Sequence, residues 1–196
     1  GADGELPDLS WMASGCLGLV SFPRLPGRFT LEEIERLYPA LLPALRAHSG
    51  IGFVLVRSEA HGALAIGPAG VHHLDSGRVE GEDPLAPFGP NAARHLRRTD
   101  SFPHCADLMI NSSYWPQFGE VAAFEELVGS HGGLGGSQSF PLVLHPADLA
   151  WPEEEVIGAE AIHHILRGWL ATLGHDAYAA DDRSPMGNRR QEGPVA

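Results

Sequence analysis

Ile51-Gly52-Phe53-Val54-Leu55-Val56-Arg57 is the run of residues on which the fold depends. It is apolar and β-branched, with no polar side chain before Arg57, so it reads as a strand. A strand without polar alternation is one covered on both faces, as in the parallel sheets of α/β domains. Two further apolar runs, Cys16–Phe22 and Asp107–Asn111, read the same way. Between the first two, Thr30 starts a helix: Glu33 stands where a capping box places its acidic residue. Leu31, Ile34, Leu37, Tyr38, Leu41, Leu42 and Leu45 then recur at three- and four-residue spacing, which gives one apolar face. Pro39 and Pro43 interrupt the run and predict a kink or two short helices ending before Gly50. Buried strands separated by helices predict an α/β domain.

Farther along, Ala63–Ile66 and Val71–Leu74 flank Gly67-Pro68 and read as a small antiparallel hairpin. Residues 81–90 are a Pro- and Gly-rich loop, and Ala92–Arg98 is a short basic helix. Tyr114–Gly119 reads as a turn and Pro141–Leu144 as one more short strand. A last helix covers about Gly158–Leu173, with Ile162, Ile165, Leu166, Trp169 and Leu170 on one face. Residues 1–13 form a lead-in, 14–173 the domain, and 174–196 a polar tail that reads as disordered. Two helices are thin cover for such a sheet. The expectation is therefore an incomplete domain, a piece of a longer product, and the chain begins with Gly1 rather than Met.

The balance of 25 acidic against 13 basic residues, a formal charge of -12, repels nucleic acid and anionic lipid, so no direct nucleic-acid surface is expected. No apolar run approaches the ~20 residues of a membrane helix. Gly1–Ser10 lacks the basic-then-apolar order of a signal peptide, so the chain reads as soluble. Two cysteines, Cys16 and Cys105, make no disulfide framework.

Among candidate functional residues, Gly129-Ser130-His131-Gly132-Gly133-Leu134-Gly135-Gly136 stands apart. Glycines let a backbone come close to a ligand, and an imidazole among them suits a metal or an acid–base role. No Gly-Lys-Ser/Thr follows, so this is not a phosphate-binding P-loop. The simpler reading is a surface loop with an incidental histidine. The other histidines point less clearly to chemistry. His72 and His73 fall on opposite faces of a strand, and His163 and His164 are helix neighbours that do not face one another. His104, Cys105 and Asp107 match no zinc spacing. Asp75, Glu80, Glu82 and Asp83 read as a solvated acidic loop.

Three of these segments, in this order, resemble one bacterial enzyme family: residues 51–58, then Gly81-Glu82-Asp83-Pro84-Leu85 to Gly89-Pro90, then Phe124-Glu125-Glu126 to Gly136. That family is the type I phosphodiesterase/nucleotide pyrophosphatase branch of the alkaline phosphatase superfamily, in the form fused to a holin-like membrane segment. The resemblance spans about Ser14 to Leu173, and the Gly-Ser-His-Gly-Gly-Leu-Gly-Gly run is its most specific piece. It implies the C-terminal portion of an alkaline-phosphatase-like sandwich around a mostly parallel sheet, with two divalent metals at the carboxyl end of its strands. Zinc is the metal implied, with manganese the other option, and the donors are imidazole and carboxylate.

By motif position His131 would be the last metal ligand, with Gly129, Ser130, Gly132, Gly133, Gly135 and Gly136 as the loop supporting it. The nucleophilic Thr or Ser, the early Asp ligand and an Asp-His-Gly motif are expected upstream, so this chain alone would be inactive. The partners implied are a phosphate-ester or nucleotide substrate and the N-terminal half of the same domain. Membrane association would come only through a segment not in this chain. Where the family pattern has Asn, this chain has Cys16. A phosphomonoesterase or a sulfatase fits the same half. Outside that superfamily stand a non-catalytic module used for packing or partner binding, and a small anion-binding protein using loop N–H groups.

Overall fold

The computed structural model describes residues 6–126 and 129–178, and the chain divides into two compact units between Pro141 and Leu142. The disordered tail expected at 174–196 lies, from residue 179 onward, outside the described residues.

Unit one is built on a seven-stranded sheet. Its strands are β1 (Ser10–Ser14), β2 (Leu17–Ser21), β3 (Ile51–Ser58), β4 (Gly62–Ile66), β5 (Gly70–His73), β6 (Val79–Gly81) and β7 (Leu108–Ser112). They lie in the order β1-β2-β7-β3-β4-β5-β6. Every pairing is antiparallel. The mostly parallel central sheet expected from the sequence is therefore wrong, and so is the alkaline-phosphatase-like sandwich built around it. The physical reason is that two-sided burial reports cover, and cover does not depend on strand direction. An antiparallel strand with layers on both faces loses its polar alternation just as a parallel one does.

Both faces are covered. Ile51, Val54 and Val56 of β3, Leu64 and Ile66 of β4, and Leu108 and Ile110 of β7 form one core with Phe22, Phe29, Ile34 and Leu42. That face lies under two short helices, α1 (Leu31–Leu37) and α2 (Leu41–Ala47). The alternate residues Phe53, Leu55, Ala63 and Ala65 form the second core with Leu85, Phe88, Ala92 and Leu96. Here the cover is a 3-10 turn at Ala86–Phe88 and the helix α3 (Ala92–Asp100).

Local chemistry explains where the elements start. Thr30 caps α1 with the full box: its Oγ accepts from Glu33 N–H and the Glu33 carboxylate accepts from Thr30 N–H. Buried Asp107, just before β7, accepts from Phe22 N–H at 2.8 Å and from Phe29 N–H at 2.7 Å. One carboxylate thus ties the end of β2 and the approach to α1 to the central strand. Asp100, also buried, pairs with Arg28 at 2.7 Å and with Arg57. The paired charges offset the cost of placing a carboxylate there.

A two-stranded hairpin, β8 (Tyr114–Trp115) and β9 (Glu120–Val121), follows β7. The strand expected at Pro141–Leu144 is not formed; that backbone has no regular structure. Unit two holds α4 (Gly158–Thr172) and a 3-10 turn at Asp176–Tyr178. In it the rings of His145, Trp151 and Trp169 cluster at 5.1 to 6.0 Å from one another, and the Trp169 indole donates to Ala150 O at 2.8 Å. Among the described residues no helix is long and apolar enough to cross a membrane.

Candidate functional site

The site is built at the turn joining β1 to β2. Ser14 pairs with Leu17, so Gly15 and Cys16 are a two-residue hairpin loop, and Gly15 has φ +58°. Onto this turn folds the loop that carries His131. Cys16 N–H donates to His131 O at 2.8 Å, and Phe124 N–H donates to Gly15 O at 2.7 Å. Gly15 N–H in turn donates to the Glu125 carboxylate at 3.2 Å. The two backbones are so close that a Cβ at Gly15 would overlap the His131 carbonyl and amide nitrogen. Glycine at 15 is a packing requirement as well as a turn requirement.

Cys16 does more than close the turn. Its side chain is fully buried. Its Sγ accepts from Gly133 N–H at 3.2 Å and from Gln138 Nε2 at 3.0 Å, and its S–H points to His131 O at 3.3 Å. Asn111, at the end of β7, holds the next residue of the loop. Its Oδ1 accepts from Leu134 N–H at 2.6 Å and its Nδ2 donates to Leu134 O at 3.1 Å. Gly133 passes between the two side chains: a Cβ there would lie 2.5 Å from Asn111 Oδ1 and 3.0 Å from Cys16 Sγ. Gln138, in the 3-10 turn Gly136–Ser139, also donates to Gly135 O at 2.9 Å.

His131 itself is exposed, and no described residue bonds to or stacks on its imidazole. Its main chain is held by Cys16, and its ring has no partner among the described residues. Beside it the Ser130 hydroxyl oxygen is buried without a hydrogen-bond partner among the described residues. Three loop N–H groups, at Gly133, Leu134 and Gly135, already have acceptors in Cys16, Asn111 and Ser139. A loop that binds an anion through those amides is therefore not what is built here.

No family model, curated protein or solved structure matches this chain.

The expected site residues thus meet in one place. Gly132, Gly133 and Gly135 serve the close approach of the loop, with His131 at its exposed bend; Gly136 meets only ordinary contacts at φ +69°, and Gly129 has open space around it among the described residues. Gly132 would bring a Cβ to 2.5 Å from Ser14 O, and Gly135 one to 3.0 Å from the Tyr114 side chain. Asn111 and Gln138 were not singled out from the sequence, and Cys16 only as a departure from a motif. The one available hint is Asn111 itself, a polar residue that follows Leu108-Met109-Ile110 in a buried strand.

For a metal, His131 offers an accessible imidazole on a fixed backbone, which suits one donor. The described residues hold no group of three or more His, Cys, Asp or Glu side chains able to hold a metal ion. They fit a contributed ligand rather than a whole centre.

The remaining histidines go elsewhere. His72 Nδ1 lies 3.0 Å from Asp83 Oδ1, while His73 Nε2 lies 2.8 Å from Glu80 Oε1 and 3.1 Å from an Arg78 nitrogen. The hydrogen bond to His73, then the Arg78 charge, hold the Glu80 carboxyl below its ordinary value. The acidic loop expected to be merely solvated is in fact largely paired: Asp75 also meets Arg97 at 2.9 Å. The rings of His163 and His164 stand 5.8 Å apart. Cys105 lies 3.6 Å from the Met109 sulfur, and burial pushes its thiol pKa up. A separate cleft of about 350 Å³, lined by Arg46, His48, Phe88, Tyr114 and Trp115 among others, contains no residue of the 129–136 loop.

Proposed function

We propose that this chain supplies one metal-binding histidine, His131, to a metal-dependent phosphoric-ester hydrolase of the phosphodiesterase or nucleotide-pyrophosphatase type. The observation that carries the reading is the contrast at His131: a backbone bonded to Cys16 on the hairpin, and an exposed imidazole with no described partner. An outward imidazole on a rigid support costs little reorganisation when it binds a cation. The order of motifs that ends in the Gly-Ser-His-Gly-Gly-Leu-Gly-Gly run adds to it. The reading leans on that loop and not on the sheet.

In such a centre a bound zinc or manganese ion supplies Lewis-acid stabilisation of the leaving oxygen and a water of lowered pKa. The chain's own contribution is narrower. The loop would set where the His131 side chain leaves the backbone, and a metal would take a lone pair of its neutral imidazole. The nucleophile and the other ligands are outside the described residues.

The test uses the product of the whole open reading frame that contains this chain, with bis(p-nitrophenyl) phosphate and added zinc or manganese. Loss of outer-shell partners typically costs 10- to 100-fold, so His131→Ala should lower turnover by more than ~100-fold with the far-UV spectrum unchanged. Unchanged turnover removes His131 from the site. A product that neither binds metal nor hydrolyses esters favours the second reading, a non-catalytic packing or binding module. That reading is supported by the way the loop's glycines are spent on internal contacts.

A further inference from the structure

We propose that Cys16, Asn111 and Gln138 are positioning residues for His131: together they clasp the 129–136 loop, so that loop opening and exposure of the Cys16 thiol are a single event. The catalytic half of this statement rests on the function proposed above. The clasp itself stands on geometry.

Three separate parts of the chain hold the loop. The β1–β2 turn gives Cys16, the end of β7 gives Asn111, and the 3-10 turn after the loop gives Gln138. Their bonds fall on four of the five consecutive positions 131 to 135: His131 O, Gly133 N–H, both backbone groups of Leu134, and Gly135 O. Sγ is the centre of the arrangement, with two N–H donors converging on it and its own proton directed to the carbonyl of His131. The loop cannot slide against the sheet without breaking several of these bonds together. Nor can Cys16 become accessible while they hold, because its exposure is 0 %.

None of the three side chains bonds to the imidazole. Each acts through the backbone, so each sets where the loop carries the His131 side chain. Losing one should displace the backbone that carries His131 within the closed loop, and so lower kcat while leaving KM for the ester unchanged. A thiol buried in this way is not a nucleophile; here it is a hydrogen-bonding hub.

Two measurements test this. In a Cys105→Ser background, the reaction of Cys16 with an aromatic disulfide reagent under native conditions reports how often the loop opens. Each clasp bond is worth about one hydrogen bond. Gln138→Ala and Asn111→Ala should therefore each speed labelling by ~10-fold. Gln138→Ala loses bonds of the closed form alone, so its unfolding midpoint should fall by no more than the same increment, and its labelling should stay faster than global unfolding. Labelling rates unchanged in both variants, or a wild-type rate equal to that of global unfolding, overturn the clasp.

The second measurement is hydrolysis by the product of the whole reading frame. Cys16→Ala should lower kcat by ~10-fold with KM unchanged. Cys16→Ser should restore most of it, because a hydroxyl accepts the same two N–H bonds and donates to the same carbonyl. Equal kcat in Cys16→Ala and wild type overturns the positioning role. If the wild-type product hydrolyses nothing, the hydrolase reading falls, and the labelling rates still decide the clasp.

Discussion

Gly15 shows how tightly a single residue can be specified. It turns the β1–β2 hairpin at φ +58°, and the position of its missing Cβ is taken by the main chain of His131. Gly15→Ala meets both a strained backbone and a clash with atoms that are not a flexible side-chain end. It should cost ~2–4 kcal/mol in urea unfolding. A cost below ~0.5 kcal/mol means that the loop does not lie against this turn in solution.

A second residue-scale expectation concerns acid. Burial disfavours the charged form of Glu32, but Ser58 Oγ at 2.6 Å and Glu59 N–H at 2.9 Å donate to its carboxylate and outweigh that, bringing its pKa down to about 2 from 4.5. A lowered folded-state pKa stabilises the fold above the unfolded value, and the benefit is lost as pH falls through the folded one. Wild type should therefore exceed Glu32→Gln in stability at pH 7, and the gap should close between pH 4.5 and about 2. A gap that does not vary with pH would show that the carboxylate is not held by these donors.

Among elements, the decisive bond donors are two main-chain amides. Asp107 joins β2, α1 and β7 by accepting from Phe22 and Phe29. Asp107→Ala strands two buried N–H groups, for a loss of ~3 kcal/mol, while Thr30→Ala removes only a cap and costs ~1 kcal/mol. Equal losses in chemical denaturation would contradict this ranking.

The elements themselves were largely legible. The Thr30 and Glu33 pair predicts α1 and its box, Pro39 predicts the break before α2, and Gly67-Pro68 predicts the β4–β5 hairpin, all as found, whereas Pro43 lies inside the first turn of α2 and interrupts nothing. These are local effects, settled within a few residues. The clasp was not legible. Cys16 and Gln138 are 122 positions apart and Asn111 and Leu134 are 23, and no local periodicity records a bond between them. His131 could be singled out from its glycines alone, but not the three side chains that hold its loop.

Across the whole molecule, strand direction was misread because the pattern in β3 is the same for any doubly covered strand. What differs between an antiparallel and a parallel sheet is the edges and connections, and the two edges here are unlike. At one side β6 is only three residues long, and its Glu80 is paired with Arg78 and His73. At the other side β1, Ser10-Trp11-Met12-Ala13-Ser14, has neither charge nor proline. Trp11 and Met12 are 66 % and 62 % exposed, and neighbours in a strand point to opposite faces, so both faces of this edge are bare. Short, charged edges resist pairing with other chains and long, uncharged ones invite it.

Against that liability acts the formal charge of -12, whose repulsion reaches about 8 Å at physiological salt and shrinks as salt is added. Aggregation of this chain should accordingly accelerate with ionic strength, and Met12→Lys should slow it by placing a charge on the bare edge. Light scattering on concentrated samples measures both effects. Equal aggregation of the variant and wild type at every salt concentration would move the sticky surface away from β1, and the exposed Phe118 of the β8–β9 hairpin would be the next place to put a lysine.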